Sequence, residues 1–560
     1  MIPVSKTLET DIAVVGGGIG GLCAAIAAAE GGARVMVLEN ANTKSSSSGA
    51  TGNDHFACYY PKHHGGDIRP ILRELLDSLV GLCHDPLLSL RFLERSISIV
   101  DKWHEWGINM KPFADDYVFM GHAYPDRPRI WLKYDGHNQK EALTRQAKTV
   151  GVTIVNHHPA VDLMRDEQGI TGVLTLDVSG EPPSFTFVKA RKVILATGTA
   201  NRLYPAAGSP GWPFNTAFCP ACAGAAQAQG WRIGAKLVNM ELPNRHAGPK
   251  FFARAGKSTW IGVYRYPDGK LLGPFVDKAT REVGDITCDV WNSAYTDVLM
   301  NGTGPAYIDC TGTGPEDMAF MREGMASEGL TGLLNYMDEK GIDPSKHAVE
   351  FMQYEPHLIG RGLEIDIDGQ TSVPGLYATG DMVGNFRADI AGAAVYGWIA
   401  GEHAAAHLGD GPLADIENTP WAQERMAYYS RFMERPSGAH WKEANLALQQ
   451  IMADYAAGPH RVRSATLLNA GLKYLADLRR NAEAEIAASD AHTLLRAIET
   501  LDLIDNGEIV MHGALERKES RGMHQRSDFT FTNPLLSDKF LTLRKEQGRI
   551  IPEWRQRWTA

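Results

Sequence analysis

The sequence predicts an α/β protein: a Rossmann-like domain, interrupted by an inserted α+β domain and followed by a C-terminal helical domain. Three observations predict it. A strand, a glycine-rich turn, a helix, a second strand and an acid follow one another between Asp11 and Glu39. Two further apolar strands, near residues 191–198 and 375–381, each end in small residues. Beyond residue 444, apolar positions recur at helical spacing.

The first unit is the most informative. Asp11-Ile-Ala-Val-Val15 reads as a buried parallel strand, and Gly16-Gly-Gly18-Ile-Gly-Gly21 follows it directly. Gly16 permits a tight turn, Gly18 lets backbone approach a pyrophosphate, and Gly21 lets helix and strand pack closely. The helical run Leu22 to Glu30 then presents unpaired N–H groups and a favourable dipole to phosphate. A second strand, Arg34 to Leu38, ends in Glu39, an acceptor for the hydroxyls of an adenosine ribose. A lone glycine fingerprint is weak, but strand, glycines, helix, strand and acid in this order read as a dinucleotide site.

Arg191-Lys-Val-Ile-Leu-Ala-Thr-Gly198 is a third strand with a small-residue turn. Gly375-Leu-Tyr-Ala-Thr-Gly-Asp381 is a fourth, ending in an acid before a helix of small residues. The segments Ala444 to Ala456, Ala465 to Ala488 and Ala491 to Leu503 have apolar stripes and polar faces, as bundle helices do. Trp554 and Trp558 lie in a basic tail from Arg549, read as extended and either laid on its own domain or reaching a neighbouring subunit.

At 560 residues the chain is too long for one simple core. Its net charge of -10, with no dense basic block, argues against nucleic acid as a partner. No apolar run approaches the roughly 20 residues that span a bilayer, so no integral membrane segment is expected. The N-terminus carries no signal-peptide pattern, and seven cysteines, an odd number, suit reduced thiols; the expected location is cytoplasmic. Cys219-Pro-Ala-Cys222, opening a helical run from Gly224 to Gly234, admits structural, redox-active and metal readings. One such pair is a weak zinc signal, no four-cysteine cluster spacing exists, and no metal is expected.

With these segments in view, the chain resembles the flavoprotein subunits of fumarate reductase and succinate dehydrogenase; its further relatives are L-aspartate oxidase and the α subunit of adenylylsulfate reductase. Besides the strands above, three strings carry the resemblance: Asn239-Met-Glu-Leu-Pro-Asn-Arg-His246, Glu355-Pro-His357-Leu-Ile-Gly-Arg-Gly-Leu-Glu364 and Arg517-Lys-Glu-Ser-Arg-Gly-Met-His524. The resemblance implies FAD, held by Gly16, Gly18, Gly20 and Gly21, by Glu39 and Asn40, and by Ser48, Gly49, Ala50 and Gly52. It adds Ala196, Thr197 and Gly198, then Asp381 on the ribityl chain, then Ala393 and Ala394 on the helix facing the flavin. The implied order is a FAD-binding domain over residues 1–240 and 355–412, a capping domain over 241–354, and a helical domain and tail over 420–560.

The resemblance also places His246 and His357 over the flavin as donors to a substrate carboxylate or other oxyanion. Arg387 and Arg361 are the candidate anion clamps, since an arginine fork suits bidentate recognition. Two departures stand out. The loop Ser46-Ser-Ser-Gly-Ala-Thr-Gly-Asn53 lacks the histidine that carries a covalent flavin, so FAD is expected to be non-covalent, with His55 nearby. The family's proton-donating arginine falls on Thr287-Cys288-Asp289, leaving Cys288 as the candidate in its place.

The expected activity is therefore oxidoreduction of a small anionic, carboxylate-bearing substrate by hydride transfer at flavin N5. A sulfur-compound oxidoreductase with an iron–sulfur partner is the alternative, and an electron-transfer or assembly flavoprotein with a degenerate site is a third reading. The expected kinds of partner are a second copy in a homo-oligomer and an electron-carrier or iron–sulfur protein.

Overall fold

The computed structural model describes residues 1–119, 127–206, 211–250, 260–273, 276–281, 294–295, 298, 301–457 and 462–559. Cys288 lies outside the described residues.

A seven-stranded sheet forms the centre of the largest α/β unit. Its main path runs Thr153–Val155, Val35–Leu38, Val4–Val15, Ser184–Leu195, Ile170–Asp177 and Ala160–Arg165, with Leu376–Ala378 also pairing to Ser184–Leu195. The first strand is longer than Asp11–Val15 suggests, starting at Val4, because its polar first half pairs with Phe185 to Ala190. Ile12 to Val15 align in parallel with Val35 to Leu38 on one side and Lys192 to Leu195 on the other. The helix Ile19–Glu30 packs on this sheet and against the helix Asp389–Ala406, where small residues allow close contact. A Cβ on Gly397 would come 2.3 Å from the Gly20 carbonyl oxygen, and one on Gly401 would come 2.2 Å from that of Ala24.

A second, antiparallel sheet orders Ala247–Pro249, Val349–Gln353, Ala306–Asp309 and Val263–Arg265. With the helices Pro315–Ser327 and Thr331–Lys340 it has its own core, built on Trp260, Tyr264, Met321, Met325 and Phe351. Two glycines bring it close to the seven-stranded unit: a Cβ on Gly52 would lie 2.1 Å from the Ser327 carbonyl oxygen, and one on Gly329 would lie 2.4 Å from Thr51 Cβ.

The C-terminal helices span Pro420–Glu434, Trp441–Tyr455, Ala465–Glu485 and Ala491–Glu516. The last continues well past Leu503, where the apolar stripe breaks at Asp502, Asp505 and Asn506. These polar side chains are buried because they are paired. Arg232 meets Asp502 at 2.7 Å and Asp505 at 2.9 Å, and Asn506 donates to the Gly224 carbonyl at 3.0 Å.

The tail is a β-hairpin rather than an extended arm. Lys539–Glu546 and Arg549–Gln556 pair through the turn Gln547-Gly548, both with positive φ, the geometry that suits a tight hairpin. The hairpin joins Leu237–Val238 and Gly362–Leu363 in a four-stranded sheet. It lies on its own chain: Arg555 pairs with Asp85 at 2.7 Å, and the Trp558 N–H donates to Asp85 at 2.7 Å. Among the described residues, no helix is long and apolar enough to cross a membrane.

Candidate active site

A cavity of about 990 Å³ opens at the C-terminal ends of the parallel strands. Gly16, Gly18, Gly20, Glu39, Asn40, Ser48, Gly49, Ala196, Thr197, Gly198, Asp381, Ala393, His246 and Arg387 all line it. Gly21, Ala50, Gly52, Ala394, His357 and Arg361 are not among its lining residues. Gly16 has φ +99°, and its missing Cβ would lie 2.4 Å from the Ala196 carbonyl oxygen. Gly21 closes the turn from below, since a Cβ there would come 1.9 Å from the Gly16 carbonyl oxygen. The helix from Ile19 therefore starts at the cavity with bare backbone N–H groups.

Glu39 shapes this loop before any ligand arrives. Its carboxylate accepts from the Gly17 N–H at 2.7 Å and from the Ala41 N–H at 2.8 Å. Two residues that the sequence did not single out lock the loop from the other side. Gln139 donates to the Gly49 carbonyl at 2.8 Å, and the Lys140 ammonium donates to the Gly17 carbonyl. Burial holds Lys140 down to about 8, with Glu39 the nearest charge pulling the other way. Polar residues in the first turn of an amphipathic helix read as a solvated face, so the sequence offered no signal for them.

This wall fits FAD on its own chemistry. The Ser46 and Ser47 hydroxyls are buried without a partner, next to a glycine cradle and a helix N-terminus. Asp381 sits in the turn after the strand Leu376–Ala378, and burial pushes its carboxyl up to about 6. The helix Asp389–Ala406 begins nearby, and Asp389, Ile390 and Ala393 face the cavity.

The far wall brings the sequence-predicted histidines together. Asn244 and His357 exchange backbone hydrogen bonds at 3.0 and 2.9 Å, and the Tyr354 N–H donates to the His246 carbonyl at 2.8 Å. This antiparallel pairing stacks the two imidazoles, with centroids 5.0 Å apart at 20°. Phe218 packs on both, at 5.2 and 5.1 Å. His357 Nδ1 accepts from the Ile359 N–H at 3.4 Å, so Nε2 carries the proton, and that buried N–H has no acceptor among the described residues. Burial, then the neighbouring His246, Arg387, Arg361 and Arg245 side chains, hold His357 well below the usual histidine range, and the ring is neutral.

Arg387 is fixed on three sides. Its guanidinium donates to Asp389 at 2.6 and 2.9 Å and to His246 Nε2 at 3.1 Å, and its backbone N–H donates to His84 Nε2 at 3.0 Å. Its remaining nitrogen, Nη1, is buried without an acceptor. Asp389 adopts φ +46°, uncommon for a residue with a side chain, at the first position of its helix. Burial pushes its carboxyl up, but Arg387 above all, with His246 and His55 beside it, outweighs this and holds it below the usual carboxylate range. Arg361 is placed differently: its guanidinium donates to the carbonyls of Leu242, Ile359 and Gly360, bracing the backbone that carries His357.

His55 lines the cavity and is hydrogen-bonded to Asp54 at 2.6 Å, with Glu328 from the second sheet's domain at 3.7 Å. Asp54, His55 and Glu328 are close enough to ligate a cation, but Lys133 places its ammonium on Asp54 at 2.7 Å. The cluster reads as a charge-balanced clasp between the two domains.

Comparison with known proteins agrees with this arrangement. The FAD binding domain family matches residues 11–393, and the fumarate reductase flavoprotein C-terminal family matches residues 445–546. A subunit of the fumarate reductase (CoM/CoB) of Methanothermobacter marburgensis is 24% identical, over 98% of this chain and 99% of its own length. L-aspartate oxidase of Mycobacterium bovis is 25% identical, over 94% and 93%. Among solved structures, adenylylsulfate reductase of Archaeoglobus fulgidus has the same fold, with a TM-score of 0.84 at 21% identity over 100% of this chain and 97% of that one. The chain belongs to the fumarate reductase/succinate dehydrogenase flavoprotein family and is an FAD-dependent oxidoreductase.

Proposed function

We propose that this chain binds FAD non-covalently and acts on a small carboxylate-bearing anion held by His246, His357 and Arg387. One observation carries the reading: His357 Nε2 and Arg387 Nη1 are buried N–H donors without acceptors among the described residues, and both side chains contact His246. Leaving such a donor unpaired costs about 1–3 kcal/mol, which a ligand oxygen would recover. FAD supplies a two-electron centre that exchanges hydride at its N5. The chain's own residues orient and polarise the substrate. Arg387 meets an anionic oxygen with a charge that Asp389 keeps in place. His357, neutral, donates one hydrogen bond. His246 accepts from Arg387 through Nε2, so its own proton sits on Nδ1.

In this reading Gly18 and the helix N-terminus hold the pyrophosphate, Glu39 the ribose and Asp381 the ribityl chain. Arg361 supports His357 from behind. Cys288 stays the candidate for the proton-donating position. The fumarate reductase relative is one part of a larger enzyme by its name, and we extend this to an electron-carrier or iron–sulfur partner and a cytoplasmic setting. The test is His357→Ala in the holoprotein. FAD content should be unchanged while turnover of the substrate acid falls by about 100-fold or more, the scale of losing a group that acts in the transition state. Unchanged turnover would remove the proposed substrate site.

A further inference from the structure

Two cysteines in the cavity wall have no part in the reading above. The Cys222 N–H donates to the Cys219 carbonyl at 3.0 Å, closing a four-residue turn over Pro220 and Ala221. Such a turn holds its end Cα atoms within about 7 Å, close to the upper limit of disulfide spacing. It is clamped from behind. The Asn201 N–H donates to the Cys222 carbonyl at 2.8 Å, Asn201 Nδ2 to the Cys219 carbonyl at 2.7 Å, and Arg202 Nε to the Pro220 carbonyl at 2.9 Å. Arg202 is in turn ion-paired with Glu499. The turn is braced independently of the two sulfurs.

Both cysteines line the cavity. A Cβ on Gly198 would lie 3.0 Å from Cys222 Sγ, so the thiol rests against the end of a strand whose Ala196, Thr197 and Gly198 also face the cavity. The residue before Cys219 is Phe218, which packs on His246 and His357. The pair therefore stands between the FAD wall and the substrate wall.

The two thiols are unequal. The Cys222 thiol donates toward the Cys219 sulfur, and the backbone N–H groups of Ala221, Cys222 and Ser47 face that sulfur too; together they hold Cys219 down to about 6 against burial. Cys222 is pushed up by the same shared proton and by burial. A thiolate that attacks and a thiol that resolves is the division a redox dithiol needs.

We propose that Cys219 and Cys222 are a dithiol/disulfide pair that passes two electrons from an external dithiol to the FAD of this chain. In the first half, the external dithiol breaks the Cys219–Cys222 S–S bond by exchange, leaving both cysteines as thiols and the donor as its own disulfide. In the second, the Cys219–Cys222 bond forms again, and the two electrons and two protons released reduce FAD to FADH2. The proposal is separate from the identity of the substrate acid, so failure of the carboxylate reading leaves it standing.

The experiment uses the holoprotein under anaerobic conditions, with dithiothreitol as electron donor. Flavin bleaching is followed while quenched samples are alkylated and mapped by mass spectrometry. In wild type, Cys219 and Cys222 should lose and regain their alkylation together across ratios of reduced to oxidised dithiothreitol. Cys219→Ser and Cys222→Ser, each checked for full FAD content, should bleach about 100-fold more slowly, as loss of an activated nucleophile predicts. In FAD-free protein the same buffers should still close the Cys219–Cys222 bond, a readout that needs no flavin. Equal bleaching rates in wild type and both variants, or two thiols alkylated independently at every ratio, would overturn the proposal.

Discussion

Arg387 lies 3.1 Å from His246 Nε2 while its guanidinium is ion-paired with Asp389 at 2.6 Å, leaving one buried nitrogen free for a ligand. An arginine can only donate, so this contact sets the tautomer of His246 as well as the place of the positive charge. This wall of the cavity is thus pre-arranged.

Replacing Arg387 by Lys keeps the charge but loses the planar fork, and with it either the Asp389 contact or the His246 contact. Losing a hydrogen bond of a buried charge pair costs about 2 kcal/mol or more, so kcat/KM should fall by about 30-fold or more with FAD retained. Steady-state kinetics alongside flavin absorbance would check both halves.

Asp381 yields a pH prediction with a definite sign. Its buried carboxyl titrates at about 6 rather than 3.8, so the folded apoprotein holds that proton more tightly than the unfolded chain. Stability of the apoprotein should therefore fall as pH rises from about 4 to about 6, by about 3 kcal/mol at most. Asp381→Asn should flatten this part of the profile in urea melts. The same variant should weaken FAD by about tenfold or more, because a charged acceptor is lost.

Lys140 holds the Gly17 carbonyl and lies beside Glu39. Lys140→Met should leave the fold intact, since the methionine fills the same buried space, but loosen the glycine loop proposed to hold the pyrophosphate. FAD affinity should drop by about tenfold, one charge-assisted hydrogen bond's worth. Flavin fluorescence quenching on titration into apoprotein measures this.

Gly52 has φ +100°, and its missing Cβ would lie 2.1 Å from the Ser327 carbonyl oxygen. Gly52→Ala should separate the cavity loop from the second sheet's domain. A rise in iodide quenching of bound flavin, together with a loss of about 1–3 kcal/mol in stability, is the expected outcome.

The dinucleotide half of the site was legible because glycine spacing, strand length and Glu39 are local features that one short segment carries. The meeting of His246 and His357 was legible only through the resemblance, since it rests on a backbone pairing between segments about a hundred residues apart. Asp389, Gln139 and Lys140 left no trace in pattern, because each works through a contact with distant backbone or a distant charge. The tail, read as extended, is a hairpin for a related reason: Arg555 folds back onto Asp85 and Glu364, partners far off in the sequence. The long C-terminal helix looked shorter for the same cause, its buried Asp502 and Asp505 being neutralised by Arg232 from elsewhere.

The most direct measurement of the central claim is anaerobic flavin spectroscopy of the purified holoprotein against dicarboxylates, enoates after prior reduction, sulfite with AMP, and reduced nicotinamides. The account predicts that one carboxylic acid bleaches or reoxidises the flavin in wild type and fails to do so in His357→Ala. A flavin that responds to sulfite with AMP and to no carboxylate, or that responds equally in both proteins, would contradict it.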